Sequence, residues 1–112
     1  METKAAVTAL AALAQDSRLA VFRALVQAGP EGLAAGKIGE LTGIPPSSLS
    51  FHLKELSHAG LASSQQAGRF VIYRAEFEAM NHLLAFLTEN CCGGNPCSPV
   101  CSQACSPSKA ST

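Results

Sequence analysis

Cysteine is absent from the first ninety residues of this 112-residue chain, and tryptophan is absent throughout. A secreted domain stapled by disulfides spreads its cysteines through the core, so that class is excluded. No apolar run approaches the ~20 residues needed to cross a bilayer. Met1-Glu2-Thr3-Lys4 opens on an alanine-rich stretch with no cleavable leader pattern, so a cytoplasmic location and no membrane partner are expected. Neither sign of charge dominates, since eight Lys and Arg meet eight Asp and Glu. That balance excludes a histone-like tail or a polybasic anchor, while a local basic surface stays open. The length suits one domain. Hydrophobic residues at 47% suffice for its core, although nineteen of them are small alanines.

What is present divides the chain at about residue 90. Residues 3–14 are Ala/Leu-rich without glycine or proline, which favours helix. Asp16 is a candidate N-cap for a helix over 17–28, with Leu19, Phe22, Leu25 and Val26 at the spacing of a buried stripe and Gly29-Pro30 as its stop. A short helix fits residues 35–42, with Ile38 and Leu41 on one side, and Gly43 ends it. Ile44-Pro45-Pro46 leads into a helix running to about His58, Pro46 standing where a first helical turn tolerates proline. From Leu61 the period changes to strand (61–66), tip (67–69) and strand (70–74). Phe77, Met80, Leu83, Leu84 and Leu87 mark a last amphipathic helix over roughly 76–89. The expected class is mainly α with a small β-hairpin, in the order α-α-α-α-β-β-α. Residues 91–112 are rich in Gly, Pro and Ser, lack a periodic apolar pattern and hold all five cysteines.

Two short helices joined by Gly43-Ile44-Pro45 and followed by a hairpin are the parts of a winged helix-turn-helix. At 100° per residue, Leu49, Leu53 and Leu56 of the second helix fall in one arc and face the core. The opposite face carries Ser47, Phe51, Lys54 and His58, with Ser50 at its edge, while His52 lies nearer the buried arc and reads as structural. Short hydroxyls at the helix N-terminus with a cation behind them suit a major groove. Ser47, Ser48, Ser50, Phe51 and Lys54 are therefore the candidate DNA contacts, with Arg69 at the hairpin tip. The competing reading makes the serines helix caps and packs Phe51 on the wing. Residues 37–74 carry Lys37, Lys54, Arg69 and Arg74 against Glu40 and Glu55, whereas 75–90 carry three glutamates and no cation.

The run Gln15-Asp16-Ser17-Arg18-Leu19, the recognition-helix spelling Ser50-x-His52-Leu53-x-x-Leu56-x-x-Ala59-Gly60-Leu61 and the wing Gly68-Arg69-Phe70-x-x-Tyr73 resemble the ArsR/SmtB family of metal-responsive repressors. The resemblance covers about residues 5–90. It implies a homodimer built on the first and last helices, bound to an inverted-repeat operator in double-stranded DNA and released by a metal or metalloid ion. Residues 1–90 would then be the DNA-binding and dimerisation domain, and 91–112 a flexible tail holding the sensor. Phe51 departs from the family, which more often has a polar or basic residue there.

The two sensor positions most familiar in that family are not spelled here. The helix before the recognition helix, Gly36 to Thr42, has no Cys-x-Cys, and His82 on the last helix stands alone. Cys91, Cys92 and Cys97 remain, three thiols without a nearby histidine, which suit a thiophilic ion. They resemble the family variants whose As(III) site pairs a C-terminal Cys-Cys with a third cysteine. As(III) takes three thiolates in a trigonal pyramid, so such a site needs Gly93-Gly94-Asn95-Pro96 to turn and bring Cys97 back toward the pair. As(III) is the expected inducer, with Sb(III) as a second candidate, and Cys101 and Cys105 are alternatives for the third ligand. A disulfide redox switch and a zinc site are the competing readings, although the tail has no pair of Cys-x-x-Cys knuckles. No catalytic constellation accompanies the thiols, so an enzyme is not expected.

Overall fold

The computed structural model describes residues 1–89. Five helices are present: α1 (Thr3–Leu13), α2 (Asp16–Ala28), α3 (Ala35–Thr42), α4 (Pro46–His58) and α5 (Phe77–Leu87). Three strands join them, β1 (Leu33–Ala34), β2 (Ala62–Ala67) and β3 (Phe70–Ala75), paired antiparallel in the order β1-β3-β2. The expected hairpin is there, with Ala67 opposite Phe70 across a two-residue Gly68-Arg69 turn. The two-residue β1 is an addition, pairing Leu33 with Tyr73 and Ala34 with Ile72. A segment that short has no period to read.

The core forms where the helical stripes converge. Val21, Phe22 and Leu25 of α2, Ile38 of α3 and Leu49, Leu53 and Leu56 of α4 are buried together with Leu61, Ala62, Ala75 and Leu83. Helix α1 joins through Ala6, Ala9 and Ala12, a run of small side chains that lets its backbone approach closely. The stripe expected on α2 is therefore rotated: Leu19 is exposed and Val21 takes a core place. Leu41 likewise stands in solvent while Ile38 is sealed. On α5 only Leu83 is fully buried, and Leu87 is exposed.

The α2 N-terminus also differs from expectation. Asp16 is the first helical residue, and Gln15 is the cap, its side-chain oxygen accepting from the Arg18 backbone N–H at 2.8 Å. Asp16 in the first turn still favours the positive end of the helix dipole. Between α3 and α4 the chain reverses at Gly43, whose φ of 73° is left-handed and whose N–H donates to the Gly39 carbonyl at 2.8 Å. Thr42 Oγ1 donates to the Ile38 carbonyl at 2.8 Å. Pro45, extended at φ −60° and ψ 149°, then hands over to Pro46 at the first turn of α4. This short, capped turn fixes α4 against α3.

Candidate nucleic-acid interface

Helix α4 presents two chemically different sides. Leu49, His52, Leu53 and Leu56 are buried, whereas Ser47, Ser48, Ser50, Phe51, Lys54 and His58 are exposed. No side chain caps the helix N-terminus. The N-cap position itself is Pro45, and Ser47 and Ser48 follow it in the first turn. Phe51 does not close onto the wing: it is 56% exposed. Its ring meets His52 edge-on, with centroids 5.8 Å apart and planes at 61°, and the Arg18 guanidinium lies over it at 5.9 Å.

Arg69 sits in the two-residue turn of the wing and is exposed there. Lys54 is exposed on α4, but Lys37 is part-neutralised by Glu40 at 3.8 Å, a solvent-exposed pair of little strength. The available cations of this region are therefore Lys54 and Arg69, with Arg74 behind the wing. Arg74 donates to Gln65 Oε1 at 3.1 Å, while its Nε is buried without a partner. Along β3, Phe70, Ile72 and Arg74 share one face and pair with the Ser63, Gln65 and Ala67 face of β2. Phe70 is 63% exposed beside the tip. The alternation along β3 is what places Phe70 and Arg74 together, whereas Gln65 lies in a polar stretch of β2 with no such signal.

His52 is buried, with Nδ1 unpartnered. Burial, and then the positive charge of Arg18, hold its pKa below the ordinary histidine value. It belongs to the core side of the helix, as its angular position predicts. Among the described residues no group of three His, Cys, Asp or Glu is arranged to hold a metal ion. His82 is exposed on α5. The thiols of Cys91, Cys92 and Cys97 lie outside the described residues. No single helix among the described residues is long and apolar enough to cross a membrane.

A family model for a helix-turn-helix domain matches residues 13–65. Over 87 residues the chain is 31% identical to the HTH-type transcriptional regulator YgaV of Escherichia coli (strain K12), an alignment spanning 78% of this chain and 86% of that protein. The fold resembles an ArsR-like transcriptional regulator from Rhodococcus sp. RHA1, with a TM-score of 0.67, 24% identity and 78% of each chain covered. It also resembles the homodimeric winged helix-turn-helix DNA-binding domain of Mb0332 from Mycobacterium bovis, with a TM-score of 0.62, 24% identity and coverage of 78% of this chain and 81% of that one. The first two of these are transcriptional regulators by name, and the third is a DNA-binding domain.

Proposed function

The chain belongs to the helix-turn-helix transcriptional regulators with an ArsR-like winged-helix fold, and on that premise we propose that it is a metalloid-responsive repressor. It binds operator DNA as a homodimer through α4 and the wing, and releases it when As(III), or Sb(III), engages Cys91, Cys92 and Cys97. The observation that carries the DNA half is the exposed, uncapped face of α4, with Ser47, Ser48, Ser50 and Lys54 aligned and Arg69 at the wing tip. The hydroxyls reach base edges and the cations take phosphates. Two such helices in a dimer occupy successive major grooves about 34 Å apart.

Dimer formation is supported by apolar side chains left in solvent on the first and last helices: Val7, Leu10 and Leu87 are all exposed. The homodimeric Mb0332 domain shares the fold. The sensor half rests on the sequence. Three thiols fall within seven residues, starting four positions after the last residue of α5. Helix α1 packs against both α4 and α5, so a strain applied at the end of α5 has a direct route to the recognition helix. A hundredfold fall in operator affinity requires about 2.8 kcal/mol of coupling, within the ordinary allosteric range. By reciprocity, bound DNA weakens As(III) binding by the same factor.

Operator release by arsenite, measured on the fully reduced protein, tests this. Wild type releases, and Cys91→Ser, Cys92→Ser and Cys97→Ser each fail to do so. If all three variants still release normally, the triad is wrong. Release by peroxide without metalloid, and none by arsenite, would replace the metalloid sensor with a disulfide switch.

A further inference from the structure

Phe51 is the misfit of the α4 reading face. Ser47, Ser50 and Lys54 beside it are polar, yet its ring stands more than half exposed. An aromatic ring left in water gains by meeting an apolar group, and the major groove offers one such group, the C5-methyl of thymine. A ring that reads a methyl must also be held in one place.

The holding contact comes from α2. The Arg18 backbone N–H donates to Gln15 Oε1 at 2.8 Å, and its side-chain Nε donates to the Ala12 carbonyl at 2.6 Å. The residue is thereby anchored to the α1–α2 corner at both its backbone and its side chain. The guanidinium carbon lies over the Phe51 ring, 5.9 Å from the centroid, within reach of a cation–π contact. Arg18 is half-buried, and the ion pair found among the described residues is Lys37 with Glu40, not one involving Arg18. His52 takes another side of the ring edge-on. Phe51 is thus flanked from the protein side by a fixed guanidinium and a buried imidazole, with its remaining surface free.

We propose that Phe51 reads a thymine methyl in the operator and that Arg18 is the positioning residue that holds its ring for this. The proposal rests on the DNA-binding role given to α4. It makes Arg18 part of sequence discrimination without contact to DNA, and it gives α2 a stake in which base is preferred. A guanidinium in this place has an obvious rival role, as a ligand to phosphate.

The test uses the full-length reduced protein and a duplex that it enriches from a random-sequence library. Each thymine is replaced in turn by deoxyuridine, which removes only the methyl, and affinity is read by fluorescence anisotropy. Wild type should lose about fourfold at one or more thymines, the effect of withdrawing one buried methyl-sized group. Phe51→Ala should no longer distinguish thymine from uracil there. Arg18→Met should flatten the same ratio while the slope of log affinity against log salt stays as in wild type. Arg18→Lys, which keeps the charge but not the planar group, should also flatten it.

A thymine preference that survives Phe51→Ala removes the reading role. If Arg18→Met lowers the salt slope by about one and leaves the thymine ratio intact, Arg18 is a phosphate ligand and the positioning role is wrong. A protein that enriches no duplex at all fails earlier, at the DNA-binding role of α4, and takes this proposal with it.

Discussion

The two sides of α4 answer to different physics within a single helix of 13 residues. Leu53 and Leu56, at 2% and 0% exposure, are close-packed against α2 and the sheet, where a change of one methylene is felt. Ser47, Ser50, Phe51 and Lys54 are exposed and contribute little to that packing, so their identities are free to be set by whatever that side meets. Stability and recognition are therefore separable by substitution on opposite sides of this helix.

The largest expected effect is on the buried side. Leu56→Ala should cost about 2–5 kcal/mol of unfolding free energy, the range for a truncated core leucine. A urea titration reads it, and operator affinity of the folded fraction should stay at the wild-type value. A loss of less than about 1 kcal/mol would mean that this side is not the packed one.

Gly32 comes next, because it stands where the chain enters β1 and closes against β3 of the wing. Its φ of 73° disfavours any other residue, and a methyl there would run into the Tyr73 carbonyl across the β1–β3 pairing. Gly32→Ala should cost more than the roughly 1–3 kcal/mol of the backbone conformation alone. Gly43→Ala shares the 73° φ but points its methyl into open space, so it should stay within that range. Equal losses in the two variants, measured in the same titration, would show that the carbonyl clash relaxes away.

Much of this division is legible in the sequence. The 100° arithmetic placed Leu49, Leu53 and Leu56 inside and put His52 with them, because a leucine stripe flanked by Pro46 and Gly60 leaves one orientation. It was less reliable where helices end or lean outward. Leu19 and Leu41 have the right spacing for burial and are exposed, since periodicity reports that a face is apolar and not what covers it. Leu19 borders an open apolar groove lined also by Phe22, Val26, Met80 and Leu83, which a second chain would cover in the proposed dimer. Strand β1 was illegible because two residues carry no alternation. Arg18 carries no mark of its own in the sequence, since its contact with Phe51 joins positions 33 residues apart and leaves no local trace. Cys91, Cys92 and Cys97 stand on the opposite footing: their chemistry is plain in the sequence, and their placement lies beyond the described residues.

On the exposed side, Lys54→Ala should change unfolding free energy by no more than about 0.5 kcal/mol, as for a surface residue without a structural partner. Its effect belongs to DNA. Losing one phosphate contact lowers the slope of log affinity against log salt by about one, evenly across operator and unrelated sequence. A specific loss at one base position, with the slope unchanged, would instead move Lys54 into the base-reading set. A loss of several kcal/mol in stability would break the comparison between the two sides altogether.

The smallest effect falls on the residue at the boundary. His52 shares the buried side, yet it touches Phe51 and feels the charge of Arg18. Burial first, and Arg18 second, lower its pKa from the ordinary value, so the folded protein binds the His52 proton more weakly than the unfolded chain does. The stability this contributes is fully present above the unfolded pKa of about 6.5. It is lost as pH falls from there through the folded pKa, because the unfolded chain takes up the proton first. Between about pH 7.5 and about pH 5, the wild-type unfolding free energy should therefore fall more steeply than that of His52→Gln. Arg18→Met should recover only part of the difference, since burial is the larger cause. Identical pH slopes for wild type and His52→Gln would place His52 with the solvated residues, and the line between the two sides of α4 would have to be redrawn on the near side of it.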